Sequence, residues 1–218
     1  MDAVITTLSL VQPLPAILDA TPPFSLLHRR KHIGGYRPAS ADLDRFNQLL
    51  ARLGRRRPPL DVDRLATAAR QLADSADDDA PGCIAQRIAW LESVVAMTGD
   101  RDWEAANEVA GYARMVADYA NDTHDLIPDW LPRIGRLDDA IVMDTAWPVL
   151  RHELSCYRDF RRLRTVEADL RGCAPEQLPF DRHAWEAARE VEAALIAHRR
   201  RVRESSYAPA PSAMFRIH

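Results

Sequence analysis

Lysine is nearly absent. Lys31 is the only one among 29 basic residues of this 218-residue chain, so its positive charge is carried almost entirely by arginine. An arginine bias of this kind follows from a GC-rich genome at least as well as from a binding role. Nor is there a basic surplus: the net charge of −3 argues against a dedicated nucleic-acid binder. Cysteine is scarce, odd in number and scattered (Cys83, Cys156, Cys173), which gives neither a disulfide framework nor metal-finger spacing. Reduced thiols in the cytoplasm are the default expectation. No apolar run approaches the ~20 residues needed to span a bilayer. The N-terminus lacks a basic leader and carries Pro13 and Pro15 in its apolar run, a poor match to a signal peptide. Phosphate-binding glycine loops, nucleophile elbows and HExxH helices are missing. His152-Glu153 comes nearest to the last, without a second histidine four residues on. No internal repeat is evident.

What the chain does have is the composition of a water-soluble globular protein, 47% hydrophobic and 28% charged, with helical periodicity along most of its length. Residues 1–38 read as an irregular N-terminal arm, with Phe24, Leu26 and Leu27 before a basic run at His28–His32 that would suit peripheral membrane contact. Ser40 is a helix N-cap, Leu43, Phe46, Leu50 and Leu53 recur at helical spacing, and Gly54 is a stop. Asp61 caps a second helix, which dissolves into an acidic loop at Asp77-Asp78-Asp79. Ile84, Ile88, Leu91 and Val95 mark a third helix, ended by Thr98-Gly99. Asp100 or Asp102 starts a fourth, carrying Trp103, Ala106, Ala110, Ala113 and Ala117. After Pro148 a long stripe (Leu150, Leu154, Tyr157, Phe160, Leu163, Val166) runs to Gly172. Asp181 caps a last helix, lined by Trp185, Ala188, Leu195 and Val202, with Phe180 placed as a hydrophobic staple. Residues 205–218 read as a flexible tail.

The most constrained stretch is Asn121 to Leu150. Pro128 and Pro132 each remove a donor and push the preceding residue from helical angles. Yet Leu126, Ile127, Trp130, Leu131, Ile134 and Leu137 are apolar, so this rigid connection is expected to pack onto a core. Gly135 offers a left-handed position, and Leu137-Asp138-Asp139 reads as a helix start, Asp138 accepting from first-turn amides and Asp139 near the positive helix end. The same carboxylates have a chemical reading. Asp125, Asp129, Asp138 and Asp139 could hold a divalent metal, with His124 for proton transfer and Arg133 or Arg136 facing a phosphorylated substrate. Capping is the simpler role for aspartate beside proline and at helix starts.

Asp125-Leu-Ile-Pro128-Asp129, then Leu131-Pro132, then Gly135-x-Leu137-Asp138-Asp139-Ala140, resembles the signature of the YkvA-like family, a domain of unknown function widespread in bacteria. The resemblance covers about residues 113–164, and the following His152-Glu153-Leu154 and Tyr157–Phe160 look like a longer proteobacterial branch. It implies a small helical fold and no established activity. Two departures stand out: Thr123-His124 where relatives often carry small apolar residues, and Asp144, Pro148, Arg151 and His152 interrupting a segment that is often strongly apolar. A second pattern, Asp138-Asp139-x4-Asp144, is similar to the aspartate-rich helix of isoprenoid synthases, but the chain is short for them and has no second such helix.

The expected fold is therefore all-α, about seven helices in a compact bundle over 39–204, between the irregular arm (1–38) and the flexible tail (205–218). The expected function is that of a cytoplasmic, non-enzymatic interaction or scaffold protein with a protein partner or a homo-oligomer, and no cofactor. The alternatives are a divalent-metal-dependent enzyme using the aspartate-rich signature, and a peripheral membrane protein.

Overall fold

The computed structural model describes residues 12–20, 30–73, 81–122 and 125–206. Among them are six α-helices and no strand: α1 (Ser40–Arg52), α2 (Val62–Ala73), α3 (Gly82–Gly99), α4 (Asn107–Ala120), α5 (Leu137–Arg171) and α6 (Arg182–Ser206), with short 3-10 turns at Ala16–Asp19 and Pro175–Gln177. The fold is all-α. It has one helix fewer than the expected seven because α5 runs unbroken through Pro148. Pro148 is exposed, so the carbonyl it leaves without a donor lies on the wet side of the helix, where proline is tolerated.

The chain divides into two compact units, one spanning Thr7–Tyr157 and the other built on Arg158–His218. In the larger unit, the 3-10 turn at Ala16–Asp19 packs on α2, and α3 on α4. Phe46 of α1 meets Tyr119 of α4, with ring centroids 5.8 Å apart, and Trp90 of α3 meets Trp147 of α5 at 5.6 Å. The helix punctuation is physical. Gly54 takes φ +92° and closes α1 with the Gly54 and Arg55 amides bonded back to Ala51 and Leu50. Asp61 Oδ1 accepts the Arg64 amide at 2.9 Å, capping α2. Asn47 donates to the Leu60 carbonyl and accepts its amide, clamping the connection between α1 and α2. Ser40 is the first residue of α1 and Ala39 its cap, without a side-chain bond. Asp100 does not begin a helix. Its carboxylate holds the Asp102 amide and the Tyr157 hydroxyl, Trp103 is buried in the connection, and α4 starts at Asn107.

Arg87, in the second turn of α3, is 2% exposed. Its guanidinium reaches Asp144 through Nε (2.8 Å) and Nη2, and donates to the carbonyls of Gln12 (2.8 Å) and Cys83 (2.9 Å). A planar donor fork is what lets a buried cation be satisfied from several directions at once. Arg87→Ala is expected to cost about 3 kcal/mol, read as a lower urea midpoint, because it strips Asp144 of its partner and leaves a cavity. An unchanged midpoint would mean the network does not hold α3 to α5.

The smaller unit pairs the end of α5 with α6. Phe160 stacks on Phe180 at 5.5 Å, Trp185 Nε1 donates to Asp159 at 3.0 Å, and Arg189 and Arg162 close the pair onto Asp159 and Glu192. Asp181 Oδ1 caps α6 on the Ala184 amide at 2.8 Å. The stripe expected to point inward does so only in part: Trp185 is buried, whereas Leu195 and Val202 are exposed.

The acidic loop at Asp77–Asp79, residues 24–29 of the arm and residues 207–218 of the tail lie outside the described residues. No described helix is long and apolar enough to cross a membrane.

Candidate functional site: the turn between α4 and α5

The connection from Asp125 to Arg136 is built inside out. Leu126, Ile127, Leu131, Ile134 and Leu137 are buried, and Pro128 is half-buried. These apolar side chains anchor the inner side, as their run with two prolines predicts. Trp130 breaks the pattern: it is 72% exposed, with Asp129 and Pro132 also at the surface. Leu131 takes the inner place, and Trp130, whose indole N–H needs water or a polar partner, takes the outer one.

Backbone geometry explains the glycine, though not by the expected route. Gly135 has no positive φ, and the left-handed residue is Arg133, at φ 67°. A Cβ on Gly135 would lie 2.5 Å from the Asp129 carbonyl oxygen and 2.9 Å from its Cα, so the two backbone strands of the turn touch there. The Gly135 amide bonds the Leu131 carbonyl at 2.9 Å, and the Leu131 amide bonds Pro128 at 3.0 Å. Arg133 is tied down as well, its Nη1 donating to the Ala73 carbonyl at the end of α2 at 3.1 Å.

The two aspartates at the start of α5 do different things. Asp138 is the second helical residue, so its side chain leans back past the helix end. Its Oδ2 accepts the Tyr119 hydroxyl at 2.7 Å and the Ile127 amide at 3.0 Å, joining α4, the incoming turn and α5 at one buried atom. The expected bond to a first-turn amide is not the one formed, because the helix begins too early for Asp138 to be its cap. Burial pushes the Asp138 carboxyl up to about 7, against the two hydrogen bonds that favour its ionised form, and Asp139 and Asp125 push it further the same way. Burial and the charge of Asp138 also raise the Tyr119 hydroxyl. Asp139 accepts from Arg136 Nε at 3.0 Å through Oδ2, while its buried Oδ1 has no hydrogen-bond partner. Burial raises it to about 6, opposed by Arg136 and reinforced by Asp125 and Asp129.

For the candidate site residues this means Asp138 and Asp139 sit together at the base of the turn, with Asp125 half-buried close enough to act on both charges. Asp129 is at the rim, and Pro128, Pro132 and Gly135 shape the turn. His124 lies outside the described residues. Among the described residues no group of three or more histidine, cysteine, aspartate or glutamate side chains is placed to hold a metal ion. Arg133 and Arg136, expected to face a substrate, face Ala73 and Asp139 instead, and Asp144 of the second pattern is held by Arg87. Cys156 Sγ lies 3.8 Å from His152 Nε2, a turn away on α5. Sequence reasoning missed Tyr119 and Arg87. Nothing in the spacing marks Tyr119. Arg87 had a signal, a lone charge on the stripe of Cys83, Leu91 and Val94.

Comparison of the chain with protein-family models, with curated proteins and with solved structures gave no match to any of them.

Proposed function

We propose that this chain is a non-enzymatic interaction protein of the cytoplasm, of YkvA-like type, which presents Trp130 on a rigid turn to an apolar pocket of a protein partner. The observation that carries the reading is the contrast between the two sides of one short loop. The inner side is fixed by five buried apolar residues, by the backbone contact at Gly135 and by the Asp138 junction; the outer side holds out a tryptophan. Leaving that ring in water forgoes about 2 kcal/mol of burial. Tryptophans held rigidly at a surface are the residues that dominate interface energies, since little motion is lost on docking. The carboxylates beneath are engaged in holding the turn, which favours a structural role for them. Three cysteines outside any disulfide fit a reducing compartment.

Trp130→Ala is expected to leave the urea midpoint within about 0.5 kcal/mol of wild type, because its ring contributes little to the core. It is also expected to abolish a specific complex that the wild-type chain recovers from extract of its own cells. Quantitative comparison of the two captures, each with purified partner re-binding, reads both. Identical captures from the two proteins would reject the presentation of Trp130 as the function.

A further inference from the structure

α6 carries a second feature, independent of the turn. Ala184, Ala188, Val191, Leu195, His198 and Val202 follow one another at alternating steps of four and three, the heptad spacing of a helix–helix seam. The side of α6 that meets α5 holds Trp185, Arg189 and Glu192. At 3.6 residues per turn the seam lies roughly 100° away from that side. The structure leaves its central residues in water: Val191 is 70% and Leu195 46% exposed, and Val202 is 48% exposed. A 25-residue helix with an exposed apolar seam matches the surface of a coiled coil, and two properties of α6 say what fits it.

The first is self-complementarity. Laid antiparallel on a second copy of itself, the seam pairs Ala184 with Val202, Ala188 with His198 and Val191 with Leu195, and the pairs toward each end set a small residue against a larger one. Parallel pairing would stack alanine on alanine in the first two layers and His198 on His198 in the layer before the last. The second property is charge. The first half of α6 carries Arg182 and Arg189 against Glu186, Glu190 and Glu192, whereas the last turns carry Arg199, Arg200, Arg201 and Arg203 against Glu204 alone. A parallel pair brings the two arginine clusters side by side; an antiparallel pair sets each against the acidic half of the other, and aligns the helix dipoles favourably. We infer that α6 is a homodimerisation helix, forming an antiparallel two-helix seam with α6 of a second copy of this chain.

The full-length protein should sediment as a dimer at micromolar concentration. Leu195→Glu should raise the dissociation constant by at least about 100-fold, since it places charges at the central layers. Val191→Glu, at a more exposed position, should do the same while far-UV circular dichroism stays that of the folded chain. For orientation, mixed Ala184→Cys and Val202→Cys chains should cross-link to each other under oxidation, and neither with itself. A monomer at every concentration up to about 100 μM overturns the inference, as does a dimer that withstands both glutamates or cross-links only between like positions. Trp130→Ala should leave the dimer intact, so the failure of this seam and the failure of the Trp130 reading are separate results.

Discussion

Gly135→Ala is expected to destabilise the protein by about 3 kcal/mol or more, a large part of the 5–15 kcal/mol that holds a typical domain together. The new methyl would stand 2.5 Å from the Asp129 carbonyl oxygen, and the obstructing atoms are backbone, which cannot swing aside as a side chain does. To make room, the turn must spread, which separates Leu131 and Ile134 from their packing and pulls the Ile127 amide from Asp138. Two other glycines serve as controls. Gly111 is exposed within α4 with nothing near its missing Cβ, so Gly111→Ala should stabilise by about 0.5–1 kcal/mol through helix propensity. Gly54 has the same open space but φ +92°, and alanine there should cost about 1 kcal/mol of left-handed strain. Urea unfolding of the three variants reads all of this. If Gly135→Ala tracks Gly111→Ala, the backbones do not touch.

Raising the pH from 4.5 to 8 should weaken the fold by about 2–4 kcal/mol, the opposite of the usual behaviour of ion-paired carboxylates. The sign follows from burial. Asp138 and Asp139 are raised to about 7 and about 6, above their ordinary value of 3.8, so near pH 5 the folded chain keeps protons that the unfolded chain has released. Their stabilising contribution is complete below pH 4 and is lost as pH climbs through 6 and 7. Asp138→Asn removes the larger part of that slope. Its amide oxygen can still accept from Tyr119 and Ile127, so the variant should match or fall below wild type at pH 5 and exceed it at pH 8. Urea midpoints at the two pH values decide: parallel profiles for wild type and Asp138→Asn would show that Asp138 is not the titrating group.

The legibility of this chain varied with the physics behind each feature. Where a single residue fixes a local conformation the sequence was readable: Gly54 ends α1, Asp61 and Asp181 cap α2 and α6, and the all-α class follows from the periodicity. The turn was recognisable as rigid and apolar, but not which residue faces out, because Trp130 and Leu131 both carry large apolar surfaces and only the closed backbone assigns one to each side. Gly135 was rightly singled out and wrongly explained, since the close approach of Asp129 is a contact across the turn that no dihedral preference encodes. Asp138 looked like a cap because that is what aspartate does at helix starts. Its real partners, Tyr119 and the Ile127 amide, come from other segments, and long-range pairing leaves no mark on spacing.

Pro148 has one more effect. It cannot donate to the carbonyl of Asp144 four residues before it, so the ladder of α5 is missing a rung there. A missing rung is where a long helix begins to open. Yet Asp144 is also the residue whose carboxylate Arg87 grips from α3. The point of lowest intrinsic cohesion along α5 is thus riveted from outside, and the helix keeps its continuity there through a side chain.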